Sequence, residues 1–519
     1  MQTDLLQRDE LRYYRDLLQN RRLLFCAVFV TILCYGFAIT HYSIGVDDVA
    51  RNYYFYSDGS GSMLNQGRLL HLLLNSLTHA IDWIPFFTEF VGASLYCLSA
   101  LLFCGLFQTI CDGQLSTPSL AAFTAVYLSA SMNVEKFLFH LDVIATMTSY
   151  CCCALGLFFA WRFAVRGERK AVLPAFLLTM GAVASYESFL FLYVCGVFAI
   201  LILEILKAPE RWNFSALLKC GLLFALLLAA VAALYYGIVA VAQHLAGCAG
   251  GFSRETVWKY SEKGFVGTFG DILREIAMYF CDSLRGFNRS IWIFCGAGAT
   301  GGLLIFWLAV RKKNGWLILC ALGLLLSNFG IPLVIGSVRL RTTQTVCLYL
   351  GFLAMLGAAW CNQRKVLKIL AGVCISLLVF VQSADMNQAF YNDYVRYQKE
   401  TFVLNTLATR LLDGYDLSKP VVFTNCPQHW IPEDGYLTTR VYDGCDVNGN
   451  SVIYWCGNCV TEYSPTFASE LFRLHGYEFV LSPTFEQARQ AQTLAQGMPA
   501  WPQEGCIREF EDVIAVNFG

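Results

Sequence analysis

Charged residues are scarce in this sequence. Of its 519 residues only 14% are charged and 56% are hydrophobic, whereas an ordinary soluble domain contains about 25% charged residues. The formal net charge is -1, so the chain lacks the broad basic field that nucleic-acid binding requires. This composition indicates a polytopic membrane protein, and we expect no nucleic acid among its partners.

The familiar nucleotide and hydrolase motifs are also missing. The sequence contains no G-x-x-x-x-G-K-[ST] phosphate loop, no G-x-G-x-x-G after a strand, no G-x-S-x-G and no H-E-x-x-H. ATP-driven transport, nicotinamide chemistry and serine or zinc hydrolysis therefore lack their usual marks. We expect neither a cofactor nor a bound metal.

Cysteine is plentiful, with 22 residues, but most of them lie in apolar runs, where a thiol acts as a small hydrophobic group. Zinc binding usually needs a second close pair beside a C-x-x-C, so we favour a disulfide or free thiols for the five cysteines near the C-terminus. Their odd number leaves at least one thiol unpaired. They are Cys426, Cys445, Cys456, Cys459 and Cys506.

Apolar runs dominate the rest of the chain. A bilayer-spanning helix needs about 20 mainly apolar residues, and we count about eleven candidate runs. The predicted fold is therefore a polytopic α-helical membrane protein with about eleven transmembrane helices. The runs lie near residues 23–44, 86–110, 118–134, 142–163, 171–185, 188–206, 216–242, 291–310, 316–335, 344–360 and 366–383.

Lys and Arg collect in alternate loops, and the inside-positive rule makes these loops cytoplasmic. The N-terminal segment 1–22 has arginines at near-helical spacing and predicts an amphipathic helix on the cytoplasmic membrane surface. It lacks the pattern of a cleavable signal, so we expect the first span to remain. The basic loops lie near 162–170, 207–219, 311–313 and 364–368.

An odd number of spans carries the C-terminal segment 384–519 to the extracytoplasmic side of a membrane domain that covers residues 23–383. This segment is long enough for a small α/β domain. We predict a long helix through its first residues and a further helix that ends near Leu474. The predicted strands are Pro420–Asn425, Glu478–Leu481 and Val513–Val516.

The first outer loop, residues 41–85, carries unusual charge at a membrane boundary. Asp47 and Asp48 follow the first span, and Arg51 lies one helical turn later. After Gln-Gly-Arg68, the apolar segment Leu69–Trp83 is too short to cross and predicts an interfacial helix that frames a pocket and contains His71. A plain outer turn that packs on the spans is the alternative.

Two arginines late in the membrane region, Arg339 and Arg341, lie on the outer side, against the inside-positive rule. A guanidinium presents a fork that matches phosphate, so an anionic head group is the natural ligand. Snorkelling, or pairing with Asp47, is the alternative. Ionisable groups at this depth are costly and default to a functional hypothesis. Others lie at Glu135, Lys136, His140, Asp142 and Glu187, where structural ion pairs are equally compatible.

Together these features resemble the GtrII-type glucosyltransferases of the GT-C class. The resemblance rests on the acidic pair with Arg51, on Gly67-Arg68, on the interfacial helix and on the late outer arginines, and it covers residues 20–383. The closing Met498-Pro-Ala-Trp-Pro and the strand at Val513 also look like that family. At the corner where that family has Tyr-Gln, this chain has Tyr186-Glu187.

The resemblance implies transfer of a hexose, glucose by the family name, from a polyprenyl-phosphate donor to a surface glycan such as O-antigen or teichoic acid. The reaction would occur at the outer face of a bacterial plasma membrane. Donor-synthesising and flippase proteins of the same pathway would be further partners. Galactose or mannose suits the same residues, and inversion at the anomeric carbon is implied by the family alone.

Roles for individual residues follow from this chemistry. Asp48 is the first choice for the general base that accepts the acceptor proton, with Asp47 as its neighbour or substitute. Arg339 and Arg341 would bind the donor phosphate, assisted by Arg68. Contacts to substrate are expected from Arg51, His71, Tyr186 and Glu187.

Two other classes of protein share part of this pattern. A glycolipid transporter or flippase would also have many spans and an outer cavity, but such proteins often show inverted repeats and helices broken near mid-membrane. We find no convincing repeat, and the charges lie at one face. A non-enzymatic component of surface-polymer assembly is the third possibility.

Overall fold

A computed structural model describes residues 8–50, 61–78, 86–247, 260–281, 288–335, 343–427 and 450–519. Its structure is mostly helical, at 77%, with a small strand region at the C-terminus. The described residues divide into two compact units. The first unit takes its described residues from Met1–Ile39, Met63–Phe137 and Asp142–Asn387, and the second takes its described residues from Thr40–Ser62, Leu138–Leu141 and Gln388–Gly519.

Each of the eleven apolar runs falls largely within helix. The runs correspond to Arg21–Thr40, Phe87–Ile110, Thr117–Leu128, Val143–Ala164, Val172–Val183, Phe189–Lys207, Phe214–Leu245, Asn288–Lys312, Trp316–Leu326 with Gly330–Ile335, Thr345–Cys361, and the start of Lys365–Gly414. Other helices are Arg8–Gln19, Gly61–Asn65, Leu69–Thr78, Val134–Leu138, Tyr260–Cys281, Val452–Gly457, Phe467–Leu474 and Phe485–Leu494.

By length and composition, 8 helices among the described residues can cross a membrane. Thr117–Leu128 and Thr345–Cys361 are apolar but shorter. The membrane character of the prediction is therefore supported, whereas the number of eleven spans stays a prediction. The last apolar helix differs from expectation in its length. Lys365–Gly414 continues for 50 residues, because no proline interrupts it between its apolar first part and its polar second part.

The first unit is built on close helix packing. Val143–Ala164 packs against both Val172–Val183 and Phe87–Ile110. Small residues permit this approach, since a Cβ at Gly92 would clash with Val143. Stacked tyrosines, including Tyr96 over Tyr127 at 5.0 Å between ring centroids, fill the space between helices.

The N-terminal helix Arg8–Gln19 joins this unit through a buried charge. Glu10 is 2% exposed, and its carboxylate lies 2.7 Å from Nη1 of Arg166 and 3.4 Å from Nη1 of Arg162. Tyr14 lies against Gly105 of Phe87–Ile110, where a Cβ would meet its ring. The helix thus packs on protein as well as having the amphipathic pattern of a surface helix.

The second unit contains a three-stranded sheet in the order β1-β3-β2, formed by Val421–Thr424 (β1), Ile507–Glu509 (β2) and Ile514–Asn517 (β3). β1 pairs in parallel with β3, and β2 pairs antiparallel with β3. All residues of β1 and β3 are buried. The predicted strands near 420–425 and 513–516 are therefore confirmed.

The predicted strand Glu478–Leu481 is wrong. These residues have no strand structure, and of the four only Val480 is buried. A short apolar stretch becomes a strand only where another strand offers backbone partners. The same region contains a helix that we did not predict, Phe485–Leu494, which begins with a capping box between Thr484 and Gln487.

Candidate active site

The acidic pair of the first outer loop lies in the second unit, and its two carboxylates have different surroundings. Residues 46–50 are helical, and the backbone N of Gly45 donates to Oδ2 of Asp48 at 3.1 Å. A carboxylate at the third helical position commonly accepts such a bond. Asp48 is 8% exposed, whereas Asp47 is exposed. The sequence alone does not distinguish the surroundings of these two carboxylates, whereas their positions in the first turn of the helix do.

A buried row of charges on Lys365–Gly414 accompanies this segment in the second unit. Asp393, Arg396 and Glu400 follow each other at intervals of three and four residues, so they share one helix face. Nε of Arg396 lies 2.9 Å from Oδ1 of Asp393, and Nη1 forms a close ion pair with Glu400. Arg396 has no exposed surface. Sequence analysis assigned no role to these three residues.

The row of charges holds the loop that precedes Asp48. Nη2 of Arg396 donates to the backbone oxygen of Ile44 at 2.7 Å, and the hydroxyl of Ser43 donates to Asp393. Asp48 is also among the charges that act on the Arg396 guanidinium. The helix that carries the acidic pair therefore follows a loop that charge-assisted hydrogen bonds hold in place.

Asn450 and Ser451 complete this network. Nδ2 of Asn450 donates to Asp393 at 2.7 Å, and its backbone oxygen accepts from Val46 N at 3.2 Å. The hydroxyl of Ser451 donates to Glu400 at 2.6 Å. Gly45 packs so closely on Asn450 that a Cβ would overlap its side chain.

A second charged cluster lies in the first unit around Asp142. Nη1 of Arg68 donates to Oδ2 of Asp142 at 3.1 Å, and Nδ1 of His71 lies 3.1 Å from Oδ1. Nη2 of Arg68 donates to the hydroxyl of Tyr186 at 2.9 Å, with the guanidinium 4.4 Å from the centre of that ring. Two predicted ligands, Arg68 and His71, therefore meet at the Asp142 carboxylate, and a third, Tyr186, contacts Arg68.

Local backbone geometry explains the position of Arg68. The helix Gly61–Asn65 ends in a Schellman motif, in which Arg68 N bonds to Met63 O and Gly67 N bonds to Leu64 O, both at 2.9 Å. Gly67 has a φ of 69°, a conformation that favours glycine. Arg68 then directly precedes the helix Leu69–Thr78. In the Gly67-Arg68 pair, the glycine thus ends one helix and the arginine lies directly before the next.

The other predicted charges have separate surroundings within the two units. Nε2 of His140 lies 3.3 Å from Ser43 Oγ in the second unit, and Glu187 is exposed at the corner between two helices. Lys136 donates to Asn133 and, at 3.1 Å, to the hydroxyl of Tyr150 in the first unit. Burial lowers the pKa of Lys136 to about 8.

Several predicted residues lie outside the described part of the chain. They include two of the three phosphate ligands and one substrate contact, together with the end of the interfacial helix and one cysteine. Their roles stay predictions. These residues are Arg51, Arg339, Arg341, the last residues of Leu69–Trp83, and Cys445.

The first unit contains an apolar cavity of about 710 Å³ between Asn288–Lys312, Thr345–Cys361 and Lys365–Gly414. Glycines and alanines provide much of its wall, and Trp307 and Trp360 also line it. At Gly357 an added Cβ would meet no atom within 4 Å. Small residues therefore leave room that larger side chains would fill.

The described C-terminal cysteines, Cys426, Cys456, Cys459 and Cys506, are free thiols. Cys426 and Cys456 are buried, and burial raises the pKa of both thiols, which keeps them protonated and unreactive. In the described ranges, no group of three or more His, Cys, Asp or Glu side chains is arranged to hold a metal ion.

With 8 described helices that are long and apolar enough to cross a bilayer, this chain belongs to the polytopic membrane proteins. The family model for the glucosyl transferase GtrII matches residues 36–357. Because this match covers more than half of the chain, the protein belongs to the GtrII family. Neither the curated proteins nor the solved structures contain a significant match.

Proposed function

We propose that this protein transfers a hexose, glucose by its family, from a polyprenyl-phosphate donor to a cell-surface glycan. The observation that carries the proposal is the GtrII match, which includes both the acidic pair and the Arg68 cluster. The reaction takes place at the outer face of a bacterial plasma membrane, with the N-terminus cytoplasmic and residues 384–519 extracytoplasmic. The enzyme has a GT-C architecture and needs no metal.

Asp48 is the proposed general base. The acceptor hydroxyl oxygen forms a bond to the anomeric carbon, and its proton passes to the Asp48 carboxylate. The bond from the anomeric carbon to the phosphate oxygen breaks, and polyprenyl phosphate leaves with the electron pair. A positioned base typically contributes about 10² to 10⁴ in rate. The low exposure of Asp48 and its fixed backbone support this role over Asp47.

Arg68 is the proposed ligand of the donor phosphate, together with Arg339 and Arg341. Its guanidinium is held by Asp142 and Tyr186, so its orientation is set before the donor arrives. The Arg68 side chain keeps 20% of its surface exposed, which leaves it accessible to a ligand. Preorganised charge of this kind stabilises the phosphate that develops as the sugar departs. His71 and Tyr186 contribute by holding the same cluster.

The apolar cavity is the proposed seat of the polyprenyl chain. Such a chain has no polar groups, and the cavity wall is formed largely by apolar side chains. Its glycines offer the open space that a branched hydrocarbon needs. Burial of each methylene group would contribute up to about 0.8 kcal/mol if the chain otherwise faced water; the net gain over lipid is smaller, so the cavity acts mainly to orient the donor.

Sugar transfer in proteoliposomes tests the proposal. Purified protein would be incubated with a panel of polyprenyl-phosphate hexoses and mixed surface-glycan acceptors, and the products would be read by mass spectrometry. We expect transfer from one donor in the panel. Movement of labelled glycolipid between leaflets with no sugar transfer would overturn the enzyme assignment in favour of a transporter.

A further inference from the structure

We propose that Arg396 is a positioning residue for Asp48: it fixes the loop that presents the carboxylate and supplies positive charge beside it. The inference rests on the proposed role of Asp48 as general base. Arg396 lies outside the range matched by the family model, which ends at residue 357. Its role is therefore derived from the geometry of the second unit alone.

The first step is mechanical. Nε, Nη1 and Nη2 of Arg396 point to three different acceptors, which are Asp393, Glu400 and the backbone oxygen of Ile44. A planar guanidinium with three directed bonds has one orientation, whereas a lysine ammonium presents a single point charge. Ile44 precedes Asp48 by four residues, so the guanidinium fixes the backbone that starts the helix of the acidic pair.

The second step is electrostatic. Among the described residues of this unit, the titratable groups of the network are Asp393 and Glu400, which pair with Arg396, Asp47 on the same helix as Asp48, and His140, which contacts Ser43. Three of these are acidic and disfavour another negative charge. The guanidinium of Arg396 acts on Asp48 in the opposite sense, because a nearby cation favours the ionised carboxylate. It thereby keeps the base ready to accept a proton.

The third step concerns the cost of this arrangement. Buried ion pairs are often no more stabilising than apolar side chains of similar volume, so stability alone is a weak reason for a fully buried arginine. Perturbed charges concentrate at functional sites. A network that ends at the proposed base has a functional reason that an isolated ion pair lacks.

Two substitutions separate the mechanical step from the electrostatic one. In Arg396→Gln the charge is lost, and we expect the acidic limb of the pH-rate profile to move to higher pH by about one unit. In Arg396→Lys the charge remains but the bond to Ile44 is lost. We expect kcat to fall about tenfold through misplacement of Asp48, with the acidic limb and the donor KM unchanged.

Arg473→Gln is the matched control, because Arg473 pairs with Glu470 on another helix of the same unit and its side chain is 42% exposed. Its pH profile should equal that of the native protein. A native pH profile in Arg396→Gln, with a reduced rate, would reveal a merely structural role and overturn the inference. If Arg396→Gln does not fold, a native kcat in Arg396→Lys has the same consequence.

The double variant Asp48→Asn with Arg396→Gln gives an independent check. If Arg396 acts through Asp48, the second substitution should add little to the loss from the first. Additive losses would contradict the inference. Absence of transfer by the native protein would instead refute the proposed function itself, so the two failures are distinguishable.

Discussion

The two charged clusters of this protein differ in how far they are open to solvent. Around Asp142, the side chain of Arg68 is 20% exposed and that of Asp142 is 14% exposed. Around Arg396 the side chains retain between 0% and 6%. Both contain an arginine held by carboxylates, but only the first can bind a ligand directly. The second acts through the residues that it holds.

This difference separates two uses of an arginine in a membrane enzyme. A partly exposed guanidinium can exchange a protein carboxylate for a substrate phosphate, so its loss should appear mainly in substrate affinity. A fully buried guanidinium contacts only protein groups, so its loss should appear in kcat and in the pH dependence of the reaction. Kinetic measurements can therefore test the comparison.

The largest expected effect is the loss of Asp48. Asp48→Asn preserves shape and can still accept the hydrogen bond from Gly45, but it cannot accept a proton. We expect kcat for sugar transfer to fall by about 10² to 10⁴ while donor binding is retained. Asp47→Asn is the control and should cost less than tenfold. Near-native turnover in both variants would eliminate the acidic pair as the source of the base.

The next effect concerns the exposed cluster. Arg68→Ala removes charge-assisted hydrogen bonds worth about 1.5–3 kcal/mol, so we expect the donor KM to rise by about 10 to 100-fold with a smaller change in kcat. Arg68→Lys should retain part of the affinity, because it keeps the charge without the fork. Arg489→Ala, which removes an arginine stacked on Phe485 in the second unit, is the control. If the donor KM rose in Arg489→Ala but not in Arg68→Ala, the assignment of Arg68 to the donor phosphate would be contradicted.

The sequence predicted the family and the helical membrane fold because both depend on local patterns. Apolar runs, turn residues and the spacing of Asp47, Asp48 and Arg68 can be recognised without knowledge of the tertiary structure. The GtrII match confirms the family. Strand prediction was less reliable, since Glu478–Leu481 had the composition of a strand and no strand to pair with.

The contacts that organise the clusters could not be read from the sequence. Arg396 is 352 positions from Ile44, and Arg68 is 74 positions from Asp142. The spacing of Asp393, Arg396 and Glu400 was visible, but the same spacing is common on solvent-exposed helices. Only the fold shows that this helix face is buried.

A smaller effect is expected from the apolar cavity. Gly357→Leu places a side chain in open space within the cavity and should raise the KM for a long-chain donor about tenfold, while a short-chain donor analogue is used as before. Gly372→Leu is the matched control: its Cβ also meets no atom within 4 Å, but it does not line the cavity. Equal effects of both variants on both donors would exclude the cavity as the chain site.

The smallest effect on activity is expected at a third charged cluster, which tests whether burial alone indicates a catalytic function. Glu10→Ala removes one of the carboxylates that pair with the buried Arg162, and we expect this to destabilise the helix Arg8–Gln19 by about 1–3 kcal/mol. Hydrogen exchange of residues 8–19 should rise, while transfer per folded molecule stays within twofold.

Asp16→Ala is the control on the same helix. Its pair with Arg12 at 3.6 Å is more than half exposed, so it should contribute less than about 1 kcal/mol. A strong loss of turnover in Glu10→Ala would mean that buried charges influence catalysis wherever they lie. The position of Arg396 beside Asp48 would then no longer support a special role for Arg396.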